Sequence, residues 1–338
     1  MGRFAGRIGL DLKHEGRRFA MSGADMVELA QLAEQAGFES LWTNEDTGFD
    51  SFAMLSAISQ RTERIRLGTA IVNVYSRSAM QLAMSVTTLD ELSGGRAILG
   101  LSIGHHPVND LGHGIPIDKP LARLREYVGF VRKAASGNAF THDGPIFSGV
   151  DARLAFDPVR PSIPIFIAGE RPRIIALAGE IADGLLINVV SPEYIAEVAA
   201  ERLWASARAA GRDASQLELT ALVTCCVSDD REAALAHARA MVAHRLRKSL
   251  KMLDTQPAHR HDEIRRVNAL MLAGERKQAE AAVSEELARS IVVFGTADEI
   301  PAGIDRYFAA GCTRVVLVAY PRSRDAMDRL RSAVAAVV

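Results

Sequence analysis

The stretch Ile65–His106, IRLGTAIVNVYSRSAMQLAMSVTTLDELSGGRAILGLSIGHH, reads as strand, loop, helix, double-glycine stop, strand and glycine turn. Ile65–Ile71 is a short apolar run with one basic interruption, the pattern of a strand covered on both faces. Between Ser78 and Leu92, the residues Met80, Ala83, Met84, Thr87, Leu89 and Leu92 fall near helical spacing. Gly94-Gly95 then stops the helix as a left-handed cap does, and Ala97–Ile103 supplies a second apolar strand. A strand–helix–strand unit of this kind calls for a parallel sheet with a right-handed crossover. Ligands in such sheets sit beyond the carboxyl ends of the strands. Here those ends are Asn73-Val74-Tyr75 and Gly104-His105-His106.

The same alternation runs on both sides of this unit. Arg7–Leu12 is a strand ending near Asp11. Ser22 and Asp25 form a capping box for a helix that Gly37 closes. Glu39–Thr43 is the second strand, and Asp50 caps a helix over 51–61. Lys119–Ser136 is an amphipathic helix with Leu121, Leu124, Tyr127, Val128 and Val131 turned inward. Phe140–Pro161 breaks the rhythm with Gly144-Pro145, Gly149 and Asp157-Pro158, which predicts a hairpin or an irregular excursion. Strands follow at 163–168, 184–189, 217–227 and 313–320, with helices over 173–179, 192–210 and 325–337. Eight strands mostly alternating with helices predict a single (β/α)8 TIM barrel spanning residues 1–338. Its main insertion is helical, Arg- and His-rich, and lies at about 229–290 between strands seven and eight, near the barrel mouth.

Composition narrows the function class. The 338 residues are 48% hydrophobic and 24% charged with a net charge of −1, which gives no electrostatic case for nucleic acid or an anionic membrane. No apolar run approaches the roughly 20 residues of a membrane span, and the N-terminus lacks a signal-type apolar segment. Cys225, Cys226 and Cys312 form no CxxC pair, so a reducing cytoplasm is expected. Two adjacent histidines without a third ligand at fixed spacing predict no metal site.

Four stretches, Gly37–Trp42, Arg64–Gly68, Thr88–Arg96 and Ala178–Gly184, together resemble the luciferase-like family of flavin and deazaflavin (F420) enzymes. A narrower likeness, to F420-dependent methylenetetrahydromethanopterin reductases, rests on Ile163-Pro164-Ile165, Asp183–Asn188, Thr224-Cys225-Cys226 and Val293–Glu299. The resemblance implies an acid at Asp11 facing cofactor and substrate. Opening a methylene bridge between two nitrogens needs a proton donor and a group that stabilises a cationic iminium, and a buried carboxyl serves both needs. It also implies Glu45 as a second catalytic or cofactor contact, with Asp46 beside it where the reductases carry a histidine. A non-proline cis peptide at Ala70-Ile71, behind the cofactor ring, is implied as well. Asn73 on the same edge is a further expected contact. Gly104-His105 in the turn after strand four, and Asn188 after strand six, complete the expected cofactor set. Gly169-Glu170-Arg171 offers glycine, a helix N-terminus and a guanidinium for the cofactor phosphate. Each has a plainer alternative: a helix cap or salt bridge for Asp11 and Glu45, an ordinary strand at Ala70-Ile71, turn or loop residues for the rest.

The function expected from the resemblance is hydride transfer from reduced coenzyme F420 to a methylene-tetrahydropterin, of methanopterin or folate type, by a cytoplasmic homo-oligomer. FMN-dependent monooxygenation, direct use of NAD(P)H, and a non-catalytic flavin-binding barrel are the alternatives.

Overall fold

The computed structural model describes residues 4–12, 21–45, 47–104 and 112–320 together with Asp325 and Asp328; in it, strand and helix alternate as the apolar rhythm requires. The first half runs β1 (Ile8–Asp11), α1 (Gly23–Gln35), β2 (Ser40–Thr43), α2 (Ser51–Ser59), β3 (Arg66–Thr69), β4 (Val72–Asn73), α3 (Ala79–Leu92), β5 (Ala97–Ser102) and α4 (Pro120–Ala135). A hairpin, β6 (Phe140–Asp143) and β7 (Ser148–Ala152), follows as expected. Next come β8 (Ile165–Ala168), α5 (Pro172–Ile181), β9 (Gly184–Asn188), α6 (Pro192–Tyr194), α7 (Glu201–Ala209) and β10 (Glu218–Val227). The insertion contributes α8 (Arg231–Lys248), α9 (His261–Leu272), α10 (Arg276–Ala282) and α11 (Glu285–Ile291). The chain closes with β11 (Val292–Gly295), α12 (Ile300–Ala309) and β12 (Arg314–Ala319). The closing helix expected over 325–337 lies outside the described residues except at Asp325 and Asp328.

Parallel pairing carries β1 through β2, β3, β5, β8, β9, β10 and β12 back to β1, so the fold is a closed (β/α)8 TIM barrel. Local signals set the helix ends. Ser22 and Asp25 form the reciprocal capping box of α1, and Asp50 Oδ1 accepts the Ala53 amide of α2 at 2.9 Å. Gly94 and Gly95 take φ of 66° and 87°, ending α3.

Three differences from the sequence reading have physical causes. The strand expected over 65–71 is split. Gly68 pairs with Ile98 and Val72 with Leu101, so one strand spends four steps where its neighbour spends three. Thr69 Oγ1 bridges the gap, donating to Gly100 O and accepting from Gly100 N, both at 2.9 Å. The Ala70–Ile71 peptide in this interruption is cis. Second, β11 pairs with the upper half of β10 at Thr224–Val227, beyond the lower half where β9 pairs with Glu218–Leu222. Its four residues, sandwiched between helices, carry no alternation to mark them. Third, the helix expected over 192–210 contains a π-helical segment, Ile195–Ala200, between α6 and α7.

Buried apolar residues form three bodies. The largest lies between barrel and helices, and the second, with Leu235, Val242, Ile264, Val267 and Leu287, belongs to the insertion. The third fills the barrel interior with Trp42, Ile98, Phe166, Leu186, Leu222, Val316 and Val318. Trp42 lies flat over Gly68, where an added Cβ would come within 2.3 Å of the indole, and meets Phe166 edge-on at 5.8 Å. At the amino ends of the strands, inside the barrel, Arg66 pairs with Glu39 and, at 3.7 Å, with Glu218. Arg314 pairs with the same two acids. This four-residue network closes that end. Burial pushes both acids above their ordinary pKa, against the pull of Arg66.

Candidate active site at the barrel mouth

The opposite end is built differently. Side chains alternate along a strand, so one more inward step above Trp42, Phe166 and Leu186, and two above Ile98, brings Asn44, Ala168, Asn188 and Ser102 to the rim. Asp11, Thr224 and Val318 are aligned with one another on β1, β10 and β12, and register sets Asp11 beside Trp42 at the carboxyl edge of the interior cluster. Ala70 joins them from the interrupted strand and packs on the interior cluster with Ile71 and Ala168. Among the described residues, a broad apolar floor thus carries small or neutral side chains at its rim, with the Asp11 carboxylate beside Trp42. Asp11 is 2% exposed. Ser102 Oγ donates to Ala168 O at 2.9 Å, fixing β5 to β8 at the rim. A flat ring system fits such a surface: the floor accepts its face, and the small rim residues leave room for its edge.

The residues expected at the site separate into groups. Asp11, Ala70 and Ile71 are brought together at the rim. Asn73, 4% exposed, is there too, but its Oδ1 accepts the amides of Tyr75 and Ser76 at 2.8 and 2.9 Å. It shapes the turn and leaves only its Nδ2 for a ligand. Gly104 follows β5 with φ of 66°. Asn188 is exposed at the end of β9. Asp46 and His105 lie outside the described residues.

Glu45 is engaged with the elements that follow it. Its carboxylate pairs with Arg77 and accepts the Ser51 amide at 3.2 Å, at the start of α2. The plainer alternative, an acid at the start of the next helix, describes these contacts. Arg77 also pairs with Asp50 and lies over the Phe52 ring at 5.3 Å. A lone arginine in a Ser-Arg-Ser loop carried no signal in the sequence.

The loop between β8 and α5 is also reassigned in part. An added Cβ on Gly169 would come within 2.6 Å of Ile174, so packing of the first turn of α5 demands the glycine. The Glu170 carbonyl accepts the Tyr194 hydroxyl at 2.6 Å. Arg171 is 62% exposed along its side chain and lies 4.0 Å from Asp254 of the insertion. The exposed guanidinium faces solvent at the rim, where a phosphate can reach it. The basic stretch around His259–His261 is only partly a solvated face: Arg260 is buried, bonded to Gln256 at 3.0 Å and to Glu286 at 3.1 Å. The thiols of Cys225 and Cys226 are buried and pushed far up in pKa, as packing residues are. Among the described residues no cluster of three or more metal-ligating side chains occurs, and no helix is long and apolar enough to cross a membrane.

Comparison with known proteins agrees with this geometry. A family model described as luciferase-like monooxygenase matches residues 5–314. The chain is 33% identical over 291 residues to the 5,10-methylenetetrahydromethanopterin reductase of Archaeoglobus fulgidus, covering 85% of this chain and 86% of that one. It is 36% identical over 218 residues to the protein of the same name from Methanolobus tindarius, covering 64% and 65%. The coenzyme F420-dependent tetrahydromethanopterin reductase of Methanopyrus kandleri has the same fold, with a TM-score of 0.86, 23% identity and 98% of each chain covered.

Proposed function

Because the chain belongs to the luciferase-like monooxygenase family, we propose that it is an oxidoreductase that uses reduced coenzyme F420 to convert a methylene-tetrahydropterin to its methyl form. The observation that carries the reading is Asp11, an acid at the carboxyl end of β1 that register sets beside Trp42 of the apolar floor and that is 2% exposed. The relatives named as F420-dependent or methylenetetrahydromethanopterin reductases supply the cofactor and substrate class.

The residues present fit a deazaflavin. Trp42, Phe166, Leu186 and Leu222 form the floor for its face, and Ala70, Ile71 and Ala168 make the small wall beside it. Asn73 Nδ2 and the Gly104 turn offer polar contacts at its edge, and Gly169-Glu170-Arg171 offers the α5 N-terminus and a cation for its phosphate. When bound, the deazaflavin supplies a hydride. Asp11 gives a proton to the nitrogen that leaves the methylene bridge, so that the carbon–nitrogen bond breaks toward an iminium on the other nitrogen. The carboxylate left behind stabilises that cation until hydride reaches its carbon. One hydride and one proton are consumed, giving an N-methyl group and an N–H. The barrel excludes water and holds the partners in line.

The test is a titration of the purified protein with F420, FMN and NADPH, followed by turnover with methylene-tetrahydromethanopterin and methylene-tetrahydrofolate. F420 binding with oxidation of the reduced cofactor by either pterin is expected. The family description favours one second reading, FMN-dependent monooxygenation; binding of FMN with oxygen-dependent product would replace the first. The same reading has the protein working in the cytoplasm as a homo-oligomer, which sedimentation of the purified chain tests.

A further inference from the structure

The loops that follow β2 and β4 form one wall of the mouth, and the residue joining them is Arg77. We propose that Arg77 is a positioning residue: by pairing with Glu45 and Asp50 at once, it fixes Glu45 and residues 47–50 against residues 70–78 and so sets the wall beside the cofactor ring. The role assigned to that wall relies on the function proposed above; the clamp itself does not.

The side chain of Arg77 is 14% exposed, and both of its partners are acids that already hold the start of α2. Glu45 accepts the Ser51 amide at 3.2 Å and Asp50 the Ala53 amide at 2.9 Å. Two carboxylates at one helix N-terminus suit its positive end but repel each other, and the guanidinium between them removes that repulsion. Only a planar fork reaches two carboxylates in fixed directions; an ammonium is a single point charge. The clamp is tied to the wall by backbone bonds. Glu45 N donates to Ile71 O at 3.1 Å, and Ala70 N donates to Thr43 O at 2.6 Å. From the other side, the Tyr127 hydroxyl of α4 donates to Arg77 O at 2.8 Å, and the Asn73 turn fixes the intervening residues. Releasing the guanidinium frees Glu45 to turn, and Glu45 is bonded through its backbone to Ile71. A displacement of about 1 Å in such a wall is enough to cost orders of magnitude in rate when it misaligns a hydride donor.

The experiment compares wild type with Arg77→Met, Arg77→Lys and Arg160→Met. Arg160 is a matched control at the other pole, where it bonds Asp90 at 2.8 and 2.9 Å and the Ala97 carbonyl at 2.7 Å. Three readouts are taken: amide hydrogen exchange over 44–50 and 70–78, the dissociation constant for F420, and the melting temperature. Arg77→Met is expected to speed exchange in both loops about tenfold and to weaken F420 binding about fivefold or more, with Arg77→Lys between it and wild type. Arg160→Met is expected to lower the melting temperature while leaving loop exchange and affinity unchanged. Wild-type exchange in both loops of Arg77→Met overturns the clamp. Equal loss of affinity in Arg160→Met at the same melting shift also overturns it, since the effect is then only loss of stability. A wild type that binds no F420 overturns the cofactor reading instead, and loop exchange then decides the clamp without it.

Discussion

Asp11 and Glu45 look alike in the sequence: each is an acid at or just after the end of a strand, on the side where barrel ligands bind. Glu45 has a partner 32 residues downstream, the guanidinium of Arg77, which no local pattern announces. Asp11, at the carboxyl end of β1 beside Trp42, is the acid whose substitution tests the proposed chemistry. Asp11→Asn keeps the volume and is expected to lower kcat by about 10²-fold or more, while F420 affinity stays within about threefold. Steady-state rates and a binding titration check this, and unchanged turnover would remove Asp11 from the reaction. Gly169 teaches a related lesson, because a glycine before a helix reads as space for a phosphate although here it is space for Ile174. Gly169→Ala should thus lower stability by about 1–3 kcal/mol through overpacking, as measured by urea denaturation. A neutral result would show that the Ile174 side chain gives way.

Elements were legible wherever period and punctuation agreed. The capped helices α1, α2 and α3, the apolar strands and the Gly-Pro-marked hairpin all stand close to where spacing puts them. The interruption of β3 was hidden from periodicity, though the family resemblance implied it at Ala70-Ile71, because it is shaped with the neighbouring strand, where Gly100 has no room for a Cβ: one would come within 2.0 Å of Thr69 O. Strand β11 was hidden because four buried residues between helices have no periodicity to read. Joins between elements were equally invisible, and one of them carries a pH dependence. Glu34, in the last turn of α1, accepts the amides of Glu63, Arg64 and Ile65 ahead of β3 at 2.6–3.1 Å. Burial alone would raise its pKa, but those amides overcome this and hold it below the ordinary 4.5. A carboxyl lowered in the folded state stabilises the fold above its unfolded pKa, and that gain is lost as pH falls through the folded value. Glu34→Gln should therefore be less stable than wild type near neutrality and approach it as pH drops below about 4.5. Parallel melting curves across pH check the convergence; a constant gap would place the loss outside ionisation.

Taken as one body, the molecule hides its reactive sulfur. Cys225 and Cys226 sit in different apolar clusters, and burial raises Cys312 to about 12. At mildly alkaline pH none of the three is available as a thiolate, so a disulfide reagent should find no free thiol in the native protein and three after denaturation. The rate at which they appear then reports opening of the whole fold. Early reaction of one thiol would reveal a segment that opens by itself.

The ion network of Glu39, Arg66, Glu218 and Arg314 has a kinetic meaning. With paired charges across that pole, a ligand bound at the opposite mouth should enter and depart by the same side. Two molecules stacked inside obey a last-in, first-out rule: the one seated deeper arrives earlier and leaves later. If the ring rests on the Trp42 floor, the pterin is the later arrival, so inhibition by oxidised F420 should be competitive with reduced F420, and inhibition by methylated product should be mixed against pterin.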